Sequence, residues 1–238
     1  MPRTILITGV SSGIGRGLAL HFLNHGAQVF GMSRRAPGDF GGLPGFAFRS
    51  VDFSRLDSIA PAVEDLLHGV SRLDLAILNA GMLGGIADLA DADLDSMRAV
   101  MDVNLWANKP VLDAACARGR QVDQVVAISS GASVSGARGW NAYALSKAAL
   151  NMMMALYAAE RTETHFAALA PGLADTPMQA AMREMPEDPR FSTVERLKKA
   201  AGTSAMPDPE ALAPRLAEAI RELRNRESGR FWDLRAFH

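Results

Sequence analysis

Thr4-Ile5-Leu6-Ile7-Thr8 runs straight into Gly9-Val10-Ser11-Ser12-Gly13-Ile14-Gly15, and the reading of these residues decides the fold. The five before Gly9 are each apolar or β-branched, as suits a strand buried on both faces. A helical pattern follows over Gly13–His25, with Gly26 placed to end it. Working outward, the same unit recurs. Gln28–Ser33 reads as a second strand and residues 36–45, rich in Gly and Pro, as a loop. Phe46–Val51 is a third strand, and Ser54 with Asp57 in capping-box spacing opens a helix to about His68. Leu73–Leu78 is a fourth strand, residues 91–118 a long helical stretch, and Gln124–Ser129 a fifth strand. An apolar helix over 142–159 precedes a sixth strand, His165–Ala170. Residues 171–207 read as loop with short helices, Asp208-Pro209-Glu210 opens a last helix, and Phe231–Leu234 a last short strand.

Strand followed by helix, repeated along the chain, predicts an α/β protein. The expected form is a single doubly wound Rossmann-type domain over residues 1–238, with a mostly parallel sheet of about seven strands. Composition narrows the function. The 238 residues carry 25 basic against 26 acidic side chains, without the basic excess of a nucleic-acid binder. No apolar run approaches the length of a membrane span, roughly 18 residues. Met1–Thr8 lacks the charged-then-apolar order of a signal peptide, so a cytoplasmic location is expected. The one cysteine, Cys116, excludes an internal disulfide, and five scattered histidines leave no expected metal site.

In a doubly wound sheet, ligands bind beyond the carboxyl ends of the strands. The turn Gly9–Gly15 lies at such an end, where glycines let a pyrophosphate approach the backbone and the positive end of the next helix. Tyr143-Ala144-Leu145-Ser146-Lys147 places a phenol and an ammonium one turn apart on one helix face. Taken alone, that spacing describes an ordinary surface pair. Its company is different: Ser129 and Ser130 end the fifth strand, Asn79-Ala80-Gly81 the fourth, and Pro171-Gly172 the sixth, while Asn104 lies in the long helix between them. All fall on one edge of one sheet. An ammonium beside the phenol is expected to lower its pKa from about 10.

These residues together resemble the short-chain dehydrogenase/reductase superfamily over nearly the whole chain, from residue 3 to about 234, including Ser130 thirteen residues before Tyr143. The resemblance implies hydride transfer between a nicotinamide dinucleotide and a carbonyl or alcohol. It implies that Tyr143 donates a proton to the carbonyl oxygen, that Lys147 depresses the Tyr143 pKa and binds the nicotinamide ribose, that Ser130 bonds the carbonyl, and that Asn104 holds a water linking Lys147 to solvent. Gly9, Ser11, Ser12, Gly13, Ile14 and Gly15 would cradle the cofactor. Asn79, Ala80 and Gly81 would line its adenosine side, and Asp52 with Phe53 would face the adenine. Pro171, Gly172, Ala174 and Thr176 would hold the carboxamide. Ser129 competes with Ser130, since neighbours on a strand face opposite ways, and Ser133 is a third candidate.

Ser33-Arg34-Arg35 ends the second strand where an acid would favour NAD. A serine with two guanidiniums suits the extra phosphate of NADP(H). Ser12 tempers this, because some NADP-specific relatives carry a basic residue at that place. Ser129-Ser130-Gly131-Ala132 with Gly139-Trp140, the run Ala170-Pro171-Gly172…Asp175-Thr176…Met178-Gln179 and the ending Ser228-Gly229…Asp233 resemble the sepiapterin reductase and benzil reductase group. That implies reduction of ketones, diketones or pterin side-chain carbonyls. Asp233 would then anchor substrate, or else pair with a backbone group or a basic residue. Trp106, Trp140, Met178, Met182 and Met185 would wall an apolar pocket or serve as packing. Residues 177–206 would form a lid. The expected partners are a small carbonyl substrate and further copies of this chain in a homodimer or homotetramer. Two alternatives stay open: a non-catalytic NADPH sensor, and a reductase of acyl-carrier-protein thioesters.

Overall fold

A parallel sheet of seven strands, in the order β3-β2-β1-β5-β7-β8-β9, carries the molecule. The structure is a computed structural model that describes residues 3–40, 42–117 and 119–237. Met1, Pro2, Gly41, Arg118 and His238 lie outside the described residues. The strands are β1 (Thr4–Thr8), β2 (Gln28–Ser33), β3 (Phe46–Ser50), β5 (Leu75–Leu78), β7 (Gln124–Ile128), β8 (His165–Ala170) and β9 (Arg230–Asp233). Two further short strands, β4 (Arg72–Leu73) and β6 (Gln121–Val122), pair with each other. Every pairing in the large sheet is parallel. The order reverses between β1 and β5, which opens a crevice at the carboxyl edge.

Both sheet faces are apolar, and alternation divides their residues between two cores. Ile5, Ile7, Leu75, Ile77, Val126, Ile128, Ala167 and Leu169 face α1 (Gly13–Asn24) and α9 (Pro209–Leu223). Leu6, Ala76, Leu78, Val125, Ala127, Phe166 and Ala168 face α2 (Ile59–Leu66), α4 (Asn108–Ala115) and α6 (Asn141–Glu160). A strand buried on both faces must be apolar at every position. The continuous Val/Ile/Leu/Ala runs therefore could not have been edge strands of a half-exposed sheet.

Several boundaries differ from the sequence reading, each for a local reason. Ser54 does not cap a helix: its N–H and hydroxyl both donate to Asp52 Oδ1, at 3.0 and 2.9 Å. The chain instead enters α2 through a single 3-10 turn, Leu56–Ser58. The fourth strand is split at Asp74, whose carboxylate accepts the Thr4 N–H at 2.7 Å and so starts β1. The stretch 91–118 is not one helix. It comprises α3 (Leu94–Met101), a π-helical segment Asp102–Trp106 and α4. The π segment, a wider turn of helix, holds Asn104 fully buried. A short helix, α5 (Ala132–Ser135), follows β7 where none was expected.

Residues 177–206 fold as α7 (Pro177–Arg183), a 3-10 turn Pro189–Phe191 and α8 (Ser192–Ala200). Their Met182, Phe191, Val194 and Leu197 share a third apolar cluster with Leu83, Trp140 and Tyr143. The segment is thus more regular and better packed than the loop with short helices that the sequence implies. Methionine fills irregular gaps without needing a regular face, so its abundance does not imply loose packing.

Candidate active site

The glycine turn is built around Asn79. Thr8, fully buried at the end of β1, accepts the Asn79 and Ala80 N–H groups on its hydroxyl at 2.9 and 3.1 Å. Asn79 Nδ2 donates back to the Thr8 and Gly9 carbonyls, both at 3.1 Å. Gly9 has φ of 74°, and a Cβ there would lie 2.8 Å from Asn79 Nδ2 and 2.9 Å from Ala80 Cα. A Cβ on Gly15 would lie 2.3 Å from the Gly9 carbonyl oxygen. The turn thus admits no side chain at either position. Ser12 precedes α1 in an extended conformation and its hydroxyl caps none of the first-turn N–H groups. Those donors, at the positive end of a helix, make an anion receptor, and the bare glycine backbone fits a dinucleotide pyrophosphate.

Beside it, Ser33 is buried and donates its hydroxyl to the Arg35 carbonyl at 2.7 Å, while Ser50 donates to the Arg34 carbonyl at 3.0 Å. The backbone of the two arginines is fixed and their side chains are exposed. Among the described residues neither enters an ion pair. Asp52 is held below the usual carboxylate range by the Ser54 N–H and hydroxyl, with a smaller contribution from Arg34. Phe53 is buried behind it.

Lys147 crosses from α6 to donate to the Ile128 carbonyl at 2.8 Å. It is buried, and burial lowers its pKa to about 8. Asn104 faces it across Gly81: a Cβ on Gly81 would lie 3.2 Å from Asn104 Oδ1 and 3.6 Å from Lys147 Nζ. Asn104 accepts the Met82 N–H at 2.8 Å and donates to the Met82 carbonyl and the Ser146 hydroxyl at 2.9 and 3.0 Å. Both its amide hydrogens are thereby used, and a water would have to donate to its oxygen.

Tyr143 lies one turn before Lys147, whose Nζ is 5.8 Å from the ring centroid. The phenol pKa stands above its ordinary value because burial penalises the phenolate, and a hydrogen bond with Ser130 opposes this. The expected lowering of the phenol by the lysine is thus absent in the protein alone. Both groups are buried, and desolvation drives each toward its neutral form.

β7 ends at Ile128, one residue short of the expected Ser129, so both serines lie just past the strand, and their hydroxyls take different partners. Ser129 Oγ donates to Asn151 Oδ1 at 2.6 Å, Asn151 Nδ2 donates to Ser133 Oγ at 2.9 Å, and Ser133 Oγ donates to the Ser130 carbonyl at 2.6 Å. This chain holds the Ser130 backbone and leaves the Ser130 hydroxyl to Tyr143 and to the Ala132 N–H. Asn151 was missed in the sequence, although an amide eight residues after Tyr143 in an apolar helix was the available signal. Ser146 lies between Tyr143 and Lys147 on α6. It is fully buried and donates to the Tyr143 carbonyl at 2.8 Å, which ties Asn104 to the tyrosine's own turn.

On the far side, Gly172 has φ of 76° and Ala174 is buried. Thr176 caps α7, accepting the Gln179 N–H at 3.4 Å. Thr176 Cγ2 would lie 3.3 Å from a Cβ on Gly13, so the segment after β8 closes over the glycine turn. Asp233 binds Arg235 through both oxygens, at 2.8 and 2.7 Å. Its carboxylate is thereby turned to a basic residue, the alternative to substrate anchoring. Trp140 and Met182 are buried beside Tyr143, Met178 and Met185 pack at the edge of that cluster, and Trp106 is exposed.

A dinucleotide cradle, a buried Tyr–Lys pair and a serine hydroxyl on one sheet edge define an oxidoreductase with a nicotinamide cofactor. Residues 3–187 match the family model of the short chain dehydrogenases, and the chain belongs to that family. It is 31% identical to a benzil reductase ((S)-benzoin forming) of Saccharomyces cerevisiae, over 92% of this chain and 90% of that one. It is 30% identical to a benzil reductase ((S)-benzoin forming) of Bacillus subtilis, over 98% of both. Among solved structures, the enzyme KRED1-Pglu superposes with a TM-score of 0.82 at 25% identity, over 97% of this chain and 100% of that one. No helix among the described residues is long and apolar enough to cross a membrane.

Proposed function

We propose that the protein is an NADPH-dependent carbonyl reductase that converts a ketone or diketone to an alcohol. The observation that carries this reading is the convergence of Tyr143, Ser130 and Lys147, with Tyr143 packed against the 177–206 helices. The benzil reductases among its relatives support a diketone as the carbonyl substrate.

The cofactor would lie from the Gly9–Gly15 turn, with its 2′-phosphate toward Arg34 and Arg35 and adenine by Asp52 and Phe53, past Asn79–Gly81. Its other end would meet Tyr143, Lys147 and the Pro171–Thr176 turn. When bound it supplies a hydride to the carbonyl carbon. Ser130 donates a hydrogen bond to the carbonyl oxygen, and Tyr143 transfers its phenolic proton there, so the carbonyl becomes a hydroxyl. The raised Tyr143 pKa keeps that proton in place until the oxygen becomes basic. Lys147, fixed to the Ile128 carbonyl, offers its ammonium to the phenolate that remains and to the ribose hydroxyls. Asn104 holds the Met82 backbone and Ser146, and its oxygen is the place for a water through which the proton is replaced. The 177–206 helices exclude bulk water from the transfer. Leu145, Met152 and Leu156 on α6, with Trp106, are exposed, which supports a homodimer or homotetramer. The residues and the family are consistent with a cytoplasmic enzyme.

The test is turnover of NADPH with aromatic diketones, pterins, simple ketones and an acetoacetyl thioester. Consumption with ketones or diketones is expected. None with any carbonyl would return the protein to a binding or sensing role, and turnover restricted to the thioester would make it an acyl-chain reductase. Replacing both arginines, Arg34→Ala with Arg35→Ala, is expected to lower the NADPH/NADH ratio of kcat/KM more than tenfold, or about 1.4 kcal/mol. An unchanged ratio would place phosphate recognition elsewhere.

A further inference from the structure

Trp140 presents an indole N–H that the described residues leave without an acceptor. The residue is 6% exposed, it precedes α6, and its ring centroid is 5.7 Å from that of Tyr143. It packs with Leu83, Met182, Phe191, Val194 and Leu197, none of which has a side-chain acceptor of any strength. Its position is tightly specified. Gly139, with φ of 94°, brings the chain so close to Phe191 that a Cβ there would lie 2.6 Å from the ring. Asn141 Nδ2 ties the other side to the Gly85 and Ala87 carbonyls at 3.1 and 3.2 Å.

A buried donor with no partner is costly, and native proteins seldom keep one without a use. Three other buried side-chain atoms share this condition. Gln124 Oε1 and His165 Nδ1 belong to the first residues of β7 and β8, directly paired across the sheet at its opposite edge. Trp232 Nε1 belongs to β9, where the ring packs against Phe237. Trp140 is the one beside the proton donor.

We propose that Trp140 Nε1–H is the donor for the second oxygen of a vicinal dicarbonyl substrate, and so determines specificity for diketones over monoketones. The inference rests on the carbonyl-reductase reading and deepens it. Tyr143 and Ser130 together take the oxygen of the carbonyl being reduced. A diketone places another acceptor one carbon away, beside an indole whose apolar neighbours Leu83, Met182, Phe191, Val194 and Leu197 offer no strong one. A monoketone brings none and leaves the indole N–H unpaired, and a site built around a hydrogen bond discriminates strongly against a ligand that lacks it.

The test compares 1,2-diphenylethane-1,2-dione with 1,2-diphenylethanone, which have nearly the same bulk and differ in that a methylene replaces the second carbonyl. Trp140→Phe keeps an aromatic ring and removes the N–H. The ratio of kcat/KM for diketone over monoketone is expected to fall about tenfold or more. A merely structural role would lower both values together and leave the ratio alone, which overturns the proposal. So does a wild-type enzyme that reduces both ketones equally well. A second measurement does not depend on that variant folding. In the Tyr143→Phe holoenzyme with tryptophan labelled by 15N, the three indole signals are assigned through Trp106→Phe and Trp232→Phe. The Trp140 signal is expected to shift downfield with the diketone and not with the monoketone. No shift, or the same shift with both, overturns the proposal. If wild type consumes no NADPH with any carbonyl, the failure lies in the functional reading itself. If it is active but shows neither the ratio change nor the shift, only the assignment of Trp140 falls.

Discussion

The glycine turn after β1 and the helical segment after β8 meet at one edge of the sheet and are held by opposite means. The turn is fixed by polar groups with defined directions. Thr8 and Asn79 exchange bonds across two strands, and Gly9 and Gly15 have no room for a Cβ. On its pocket side the 177–206 segment is held by apolar side chains, Met182, Phe191, Val194 and Leu197, packed on Trp140 and Tyr143, with the Arg183–Asp175 and Arg190–Asp88 ion pairs at its rim. Hydrogen bonds fix position and direction, whereas apolar burial is non-directional and tolerates repacking. A pocket with one wall of each kind suits a constant cofactor and a variable substrate.

Tyr143 stands where the two walls join, and its replacement is the strongest way to separate them. Tyr143→Phe is expected to lower kcat by about a thousandfold while NADPH affinity, measured by fluorescence titration, stays close to wild type. Lys147→Ala should damage both, since the proposed reaction uses the lysine for cofactor and proton donor alike. A tyrosine variant with near-normal turnover would remove Tyr143 from the chemistry altogether.

A matched pair tests the walls themselves. Asn79→Ala deprives the Thr8 and Gly9 carbonyls of their donor and should weaken NADPH binding about tenfold. Met182→Ala removes a side chain that is 1% exposed and should cost about 2–5 kcal/mol of stability. In the folded fraction its kinetic effect should fall on the carbonyl KM. If Asn79→Ala raised only the carbonyl KM, or Met182→Ala only the NADPH Kd, the division between the walls would be wrong.

Lys147 provides the pH test, and two signs must differ. Its pKa falls from about 10.4 unfolded to about 8 folded. Between those values the unfolded chain binds the extra proton, so the Lys147 contribution to stability rises with pH across that window and is at its least favourable below about pH 8. The proposed reduction instead uses the ammonium, so kcat/KM should fall as pH passes about 8. Thermal melts of wild type against Lys147→Met should converge as pH rises from 8 to 10, while the wild-type rate declines. A rate that climbed through that window would mean the neutral amine is the working form.

The smallest effect expected is in the segment's motion. Amide exchange over 177–206 should be faster than in β1 and β5 without ligand, and slower once NADPH and a ketone are bound. Equal, high protection in both states would make these helices a fixed wall.

What the sequence by itself determined follows from periodicity and from residues that tolerate no substitute. Continuous apolar runs at β1, β5, β7 and β8 imply a sheet buried on both faces, and the glycine turn and the serine pair follow strand ends, while Tyr143 and Lys147 share a helix face, all of which spacing alone can place. The tertiary structure decided which groups meet. Asp74 breaks a strand because it is needed at Thr4, and Asp102–Trp106 forms a π-helical segment in which Asn104 reaches Met82 and Ser146. Asn151 selects between Ser129 and Ser130 from twenty-two residues away. Asp233 turns to Arg235, and burial raises the Tyr143 pKa where the neighbouring lysine alone would lower it. Local pattern reports which residues can share a face. Desolvation, and the choice of partner for each polar group, depend on chain segments distant in sequence and exist only once those segments are packed together.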